Sequence, residues 1–217
     1  MTEKQEQFVQ TLYNKYNFVL KPFFAECEAR TGRYEIQIVN ELRSFFDHIA
    51  RCYRPKSTED YIDKQLTKAE SHVHRALLDI MKILITVYHE YMKDFLKQTK
   101  NTDLREVCDG AFFPKYRNLY NNAYGLNEKA KQVESVDFEK AFQLFQNSKN
   151  AFIDLEKYIT DNTYEINRAK RKARFRKTIN FLKWFIPIII GVLLAQIITC
   201  AFFDDTLLKI LFIAICK

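Results

Sequence analysis

The chain has 217 residues, of which 47% are hydrophobic and 15% aromatic, and its formal net charge is +7. That much apolar material excludes an intrinsically disordered chain, and only 4 Gly and 4 Pro leave too little punctuation for a hairpin-rich β fold. The five cysteines (Cys27, Cys52, Cys108, Cys200, Cys216) form no CxxC pair and have no His at finger spacing, so no metal site is expected and a reducing compartment fits.

The N-terminal stretch Met1-Thr-Glu-Lys-Gln-Glu-Gln has no apolar core, so no cleavable signal peptide is expected. Residues 3–20 place Phe8, Leu12, Tyr16, Val19 and Leu20 at helical spacing, with Pro22 interrupting or restarting that helix and Gly32 marking a second boundary. Glu35 to Tyr53 reads as an amphipathic helix with Ile38, Val39, Leu42, Phe45, Phe46 and Ile49 inward. Arg54-Pro-Lys-Ser-Thr-Glu-Asp ends it and caps a partner helix over about Glu59 to Gln98, whose seam is Ile62, Leu66, Ala69, Val73, Ala76, Ile80, Ile83 and Val87.

Asn101 to Pro114 reads as a loop, followed by a helix over about Lys115 to Val133 with Tyr116, Leu119, Tyr120 and Ala123 on one side. From Phe138 to Ala173 a three-four alternation (Phe138, Ala141, Phe145, Ser148, Phe152, Leu155, Ile159, Asn162, Ile166, Ala169, Ala173) leads toward the C-terminus. It describes either a continuous stalk or one more bundle helix, and Asn162 in the seam is of the kind that fixes register between helices.

From Ile179 to Phe203 the only charge is Lys183, and Trp184 to Phe203 is a charge-free run of 20 residues. Twenty residues of helix rise roughly 30 Å, the thickness of a bilayer's hydrocarbon core, so one transmembrane helix is expected. Arg168, Lys170, Arg171, Lys172, Arg174, Arg176 and Lys177 precede it, and Asp204 and Asp205 follow. These seven basic residues account numerically for the whole net charge of +7. The positive-inside rule then places the N-terminal part in the cytoplasm, and the cluster suits anionic lipid headgroups better than nucleic acid.

Within the span, Gly191, Ala195 and Thr199 lie on one face as a small-residue stripe, and Gln196 beside it is costly in hydrocarbon without a partner or water. These four are the candidate pore or subunit-interface residues, with Pro187 a candidate kink. The tail Thr206 to Lys217 is apolar but too short to cross back, which fits an interfacial or re-entrant segment. The fold class is therefore all-α: a cytoplasmic helical bundle over 1–134, a stalk helix with a basic collar over 135–177, a transmembrane helix over 178–203 and a short tail over 204–217.

Catalytic patterns are sparse. No phosphate-binding Gly loop, GxSxG or HExxH is present, so no enzyme and no cofactor is expected. Arg43-Ser-Phe-Phe-Asp-His48 matches the R-x4-H string of HEPN ribonucleases, but the two ends point about 140° apart on a helix, whereas Arg43 and Asp47 suit an i,i+4 pair. Lys68, His72, Arg75, Asp79 and Lys82 form a polar stripe opposite the seam, with His74 beside it. It is either a solvated face or an anion-binding surface with Arg and His reaching phosphates.

The order of a hairpin carrying Asn40-Glu-Leu-Arg43 and His72-Val-His-Arg-Ala-Leu-Leu-Asp79, then a stalk, a basic collar and a C-terminal span, resembles the membrane effectors of bacterial anti-phage defence, and among these the effector of the Hailong system. That resemblance implies a homo-oligomeric ion channel, such as a tetramer, in the bacterial inner membrane. In that family a partner nucleotidyltransferase makes short single-stranded DNA oligomers that hold the channel closed, and losing them depolarises the infected cell and arrests its growth. It further implies Arg43, His72, His74 and Arg75 as the oligonucleotide contacts. A membrane-anchored scaffold without transport activity is the alternative, and a HEPN-like nuclease a third.

Overall fold

The structure is a computed structural model that describes residues 1–203, with side chains described to Ile198. Seven α-helices make up nearly all of it: α1 (Glu3–Lys15), α2 (Lys21–Thr31), α3 (Ile36–Cys52), α4 (Glu59–Thr99), α5 (Phe112–Val133), α6 (Phe138–Asp161) and α7 (Thr163–Phe203). The tail 204–217 lies outside the described residues, as does the side chain of Thr199.

Local chemistry sets the helix ends. Thr2 opens α1 with a reciprocal capping box to Gln5, Thr58 caps α4 by accepting from the Tyr61 amide, and Asp137 caps α6 by accepting from Lys140. Gly32 closes α2 at φ 69°, a left-handed conformation that a Cβ would oppose. Pro22 does not interrupt the first helix: a π-helical turn over Tyr16–Leu20 joins α1 to α2, with the Lys21 amide donating five residues back to Tyr16. The widened turn puts the proline in the first turn of α2, where its missing N–H is not needed.

The long α4 is the spine of two cores. Its first half, with Ile62, Leu66, Ala69, Val73, Ala76 and Ile80, packs against α1, α2 and α3, where Leu12, Leu20, Ile38, Phe45 and Ile49 are buried. Its second half, with Met81, Ile85, Tyr88, Met92 and Phe95, packs against α5 and α6, where Phe112, Tyr116, Phe145, Phe152 and Leu155 are buried. Because the two partners sit on different sides, the seam rotates along α4. Leu84 and Tyr88 are buried where Ile83 and Val87 were expected, and both of those are half-buried. Phe23, Phe138 and Phe142 border both cores.

Three further differences from the sequence reading have physical causes. Val39 and Phe46 on α3 are exposed, because α3 buries the narrower stripe Ile38, Phe45, Ile49 and Cys52. The region read as a loop holds a 3-10 segment, Leu104–Gly110, that buries Leu104 and Val107, and α5 already begins at Phe112, with Pro114 tolerated in its first turn. The stalk is shorter than the alternation implied. Residues Phe138 to Ile159 belong to a bundle helix, the chain breaks at Asn162, and α7 starts afresh at Thr163. Asn162 is the C-cap of α6, donating Nδ2 to the Tyr158 carbonyl at 2.7 Å and accepting at Oδ1 from the Cys108 thiol at 2.9 Å.

Candidate functional site

Two regions hold the residues singled out by sequence: the α3–α4 hairpin and the base of α7. In the hairpin, α3 and α4 run antiparallel, so polar residues on one flank of each meet in a ladder. Gln37 Nε2 donates to Asp79 at 2.9 Å, Arg75 Nε donates to Glu41 at 3.1 Å, and His72 Nδ1 stands 2.6 Å from the same Glu41 oxygen. His48 Nδ1 lies 2.8 Å from Gln65, and the His48 and His72 rings stack with centroids 5.1 Å apart. The expected polar stripe of α4 is therefore a flank of the helix contact rather than its solvated back, and Glu41 occupies both His72 and Arg75.

The four proposed ligand residues are not brought together. His72 and Arg75 adjoin, while Arg43 is exposed and makes no ion pair among the described residues. The pair expected between Arg43 and Asp47 is replaced by Arg51 with Asp47, one turn further along. His74, two residues from His72 and so on another side of α4, stacks on Phe138 at 3.6 Å, with Lys15 Nζ 3.1 Å from its Nε2. Burial, then the Lys15 ammonium, pushes its pKa down to about 4, so the imidazole is neutral and accepts from Lys15. Arg43 and His48 diverge as the helical geometry required: His48 faces α4 and Arg43 faces solvent. Among the described residues no three His, Cys, Asp or Glu side chains are grouped to hold a metal ion.

At the second region, Ile166 and Ala169 of α7 are buried against the 3-10 segment and α6. Val107 is extended there and Cys108, Asp109 and Gly110 all have positive φ, a run of left-handed residues that turns the chain sharply around the root of α7. A cleft of about 510 Å³ opens beside it, lined by Glu106, Cys108, Asp109, Glu165, Arg168 and Lys172. Of the basic cluster, Arg176 pairs with Glu106 at 2.8 Å and Arg168 with Glu165 at 3.8 Å. Lys170, Arg171, Lys172, Arg174 and Lys177 form no ion pair among the described residues. Sequence reasoning missed Glu106 and Cys108, because their partners Arg176 and Asn162 lie far along the chain, with Asn162 54 residues beyond Cys108.

Beyond the collar, α7 projects away from the bundle. Every residue from Phe181 to Ile198 is exposed, and the helix is long and apolar enough to cross a membrane. It runs through Pro187 as one element. A Cβ built at Gly191 would meet nothing within 4 Å, and Gln196 is exposed on the same stretch. Fold and site thus define an all-α bundle with one candidate membrane-spanning helix rooted in it. Set against known protein families, curated proteins and solved structures, the chain matches none.

Proposed function

We propose that the chain is a single-pass membrane effector of anti-phage defence: a homo-oligomeric ion channel or pore in the bacterial inner membrane, gated by its cytoplasmic bundle in response to a nucleotide or short DNA oligomer. Opening depolarises the membrane and arrests growth. The observation that carries this reading is the continuity of α7, whose first turns bury Ile166 and Ala169 in the bundle and whose apolar remainder is one unbroken helix. A tether needs no rigid joint, whereas a gate does, since movement of the bundle must reach the span.

Gln196 supports the reading. An amide facing hydrocarbon without a partner costs roughly 2–7 kcal/mol, and a water-filled pore or a neighbouring subunit removes that cost. The collar supports the orientation and attraction to anionic lipids. The nature of the signal and its maker, a partner nucleotidyltransferase, rests on the resemblance to Hailong effectors.

The scaffold reading is favoured by one observation, that Glu41 already satisfies His72 and Arg75 and leaves no open anion site there. Expression in bacteria with a voltage-sensitive dye separates the two. The channel predicts depolarisation that Gln196→Leu changes and that replacement of residues 179–217 by an unrelated single span abolishes. Unchanged potential in cells whose membranes contain the protein overturns it.

A further inference from the structure

The exposed side of α3 carries a pattern that the fold uses only in part, where Phe46 meets the rings of Tyr13 and Tyr16. Ile36, Val39, Arg43, Phe46, Ala50 and Tyr53 follow one another at steps of three, four, three, four and three, a heptad seam running the whole length of the helix. Ile36 is 74% exposed, Val39 43%, Phe46 38% and Tyr53 63%. At about 100° per residue this stripe lies roughly 130° round the helix from the buried one of Ile38, Phe45 and Cys52. Alpha3 thus has two apolar faces; the bundle covers one fully and the other only along the edge where Phe46 meets Tyr13 and Tyr16, leaving Ile36, Val39 and Tyr53 exposed.

We infer that this second face of α3 packs antiparallel against α3 of a second copy of the chain. The stripe is self-complementary under a two-fold axis placed between residues 44 and 45. Ile36 then meets the partner's Tyr53, Val39 the partner's Ala50, and Arg43 the partner's Phe46 and Asp47, each contact occurring twice. Charge follows the same register. Among the described residues Arg43 and Arg54 form no ion pair, and the axis sets them against Asp47 and Glu35 of the partner subunit. Each of those carboxylates holds one arginine in its own chain, Arg51 and Arg33, and has lone pairs left for a second. The guanidinium of Arg43 also lies over an aromatic ring in this register, a further favourable contact.

One 17-residue helix against its copy buries less than the roughly 1,200 Å² usual for a stable complex. The contact therefore acts between chains that a shared membrane and the span already hold together, where the second association is intramolecular. It shares with the proposed function only the premise that copies of the chain meet in one membrane.

The test is disulfide trapping of the full-length chain in native membranes with Val39→Cys and Ala50→Cys together, the otherwise unchanged chain serving as reference for its own cysteines. Under the two-fold register the double variant forms a covalent dimer on mild oxidation. Neither single variant does, because like positions stand about 16 Å apart along the axis, beyond disulfide reach. Adding Arg54→Glu to the double variant lowers the dimer yield several-fold, and adding Glu35→Arg as well restores it. No dimer above the reference, equal dimer in a single variant, or no restoration by the charge swap overturns the contact. Trapping without depolarisation leaves the contact standing and removes the channel. Depolarisation without trapping does the reverse.

Discussion

Arg176 Nη2 stands 2.8 Å from Glu106 Oε1, so the basic collar that leads toward the apolar segment is tied by charge to the 3-10 segment. The same segment buries Leu104 and Val107 and gives the Cys108 thiol to Asn162. Its burial, more than its ion pair, secures α7. An exposed pair such as Arg176 with Glu106 contributes about 0–1 kcal/mol. Truncating a fully buried branched side chain costs more, about 1–3 kcal/mol for a valine. Glu106→Gln is therefore expected to leave thermal stability in detergent nearly unchanged. Val107→Ala should lower it and speed proteolytic cleavage between residues 104 and 110. Equal effects of the two variants would contradict this account of the joint.

The Glu41 arrangement makes a prediction opposite in sign to ordinary loss of function. Glu41 holds His72 at 2.6 Å and Arg75 at 3.1 Å, so an incoming phosphate has to displace it. If that flank reads an oligonucleotide, Glu41→Gln should strengthen binding of a fluorescent thymidine trinucleotide several-fold, and Arg75→Glu should abolish it. A trinucleotide that binds neither the wild-type chain nor Glu41→Gln would take the ligand role away from His72 and Arg75.

Most of the architecture is visible in the spacing of apolar residues, since an amphipathic helix must bury one face wherever it packs. The apolar segment is legible from length alone, and α4 from its caps and seam. What spacing does not reveal is which face a neighbour covers. On α3, Ile38 and Val39 differ by one residue and by burial, and only the position of α4 decides between them. The alternation from Phe138 to Ala173 is continuous as a pattern but crosses Asn162, where the chain leaves the helix while both sides still face the same core. The candidate ligand residues failed to gather for the same reason. His72 and His74 are neighbours in sequence, and the helix sends them to different partners, Glu41 and Phe138.

His74 gives the bundle an acid-sensitive element. Facing it are Lys15, Phe138, Glu70 at 3.9 Å and Glu139 beyond Lys15. Burial and Lys15 lower its pKa from 6.5 to about 4. The unfolded chain therefore binds a proton between those values that the folded chain refuses, and stability rises with pH across that window. The contribution is complete above pH 6.5 and is lost as pH falls toward 4. His74→Gln, which stays neutral, should flatten the dependence of melting temperature on pH between 4 and 6.5. An unchanged slope would show that other groups set it.

The contact between α2 and α6 couples the two cores through charge. Lys149 is buried, with Nζ 2.6 Å from Glu26 and 4.8 Å from the centre of the Phe23 ring. Glu26 also lies 3.8 Å from Arg30, which reaches Glu156 on α6 at 3.4 Å. A buried cation that loses its partner keeps its desolvation penalty, whereas an apolar replacement of the same length removes that penalty along with the pair. Glu26 is partly exposed and water softens its loss, so Glu26→Ala is expected to cost about 1–3 kcal/mol, below the value for a fully buried pair. Lys149→Met keeps the stem packed on Phe23 and should change stability by less than about 1 kcal/mol. Chemical denaturation of both variants in detergent decides the matter, and the double variant adds a sharper check. With no ammonium left to strand, Glu26→Ala in the Lys149→Met background should cost less than it does alone. A cost as large in that background would mean that Glu26 acts through Arg30, and that the pair with Lys149 contributes little to holding α2 against α6.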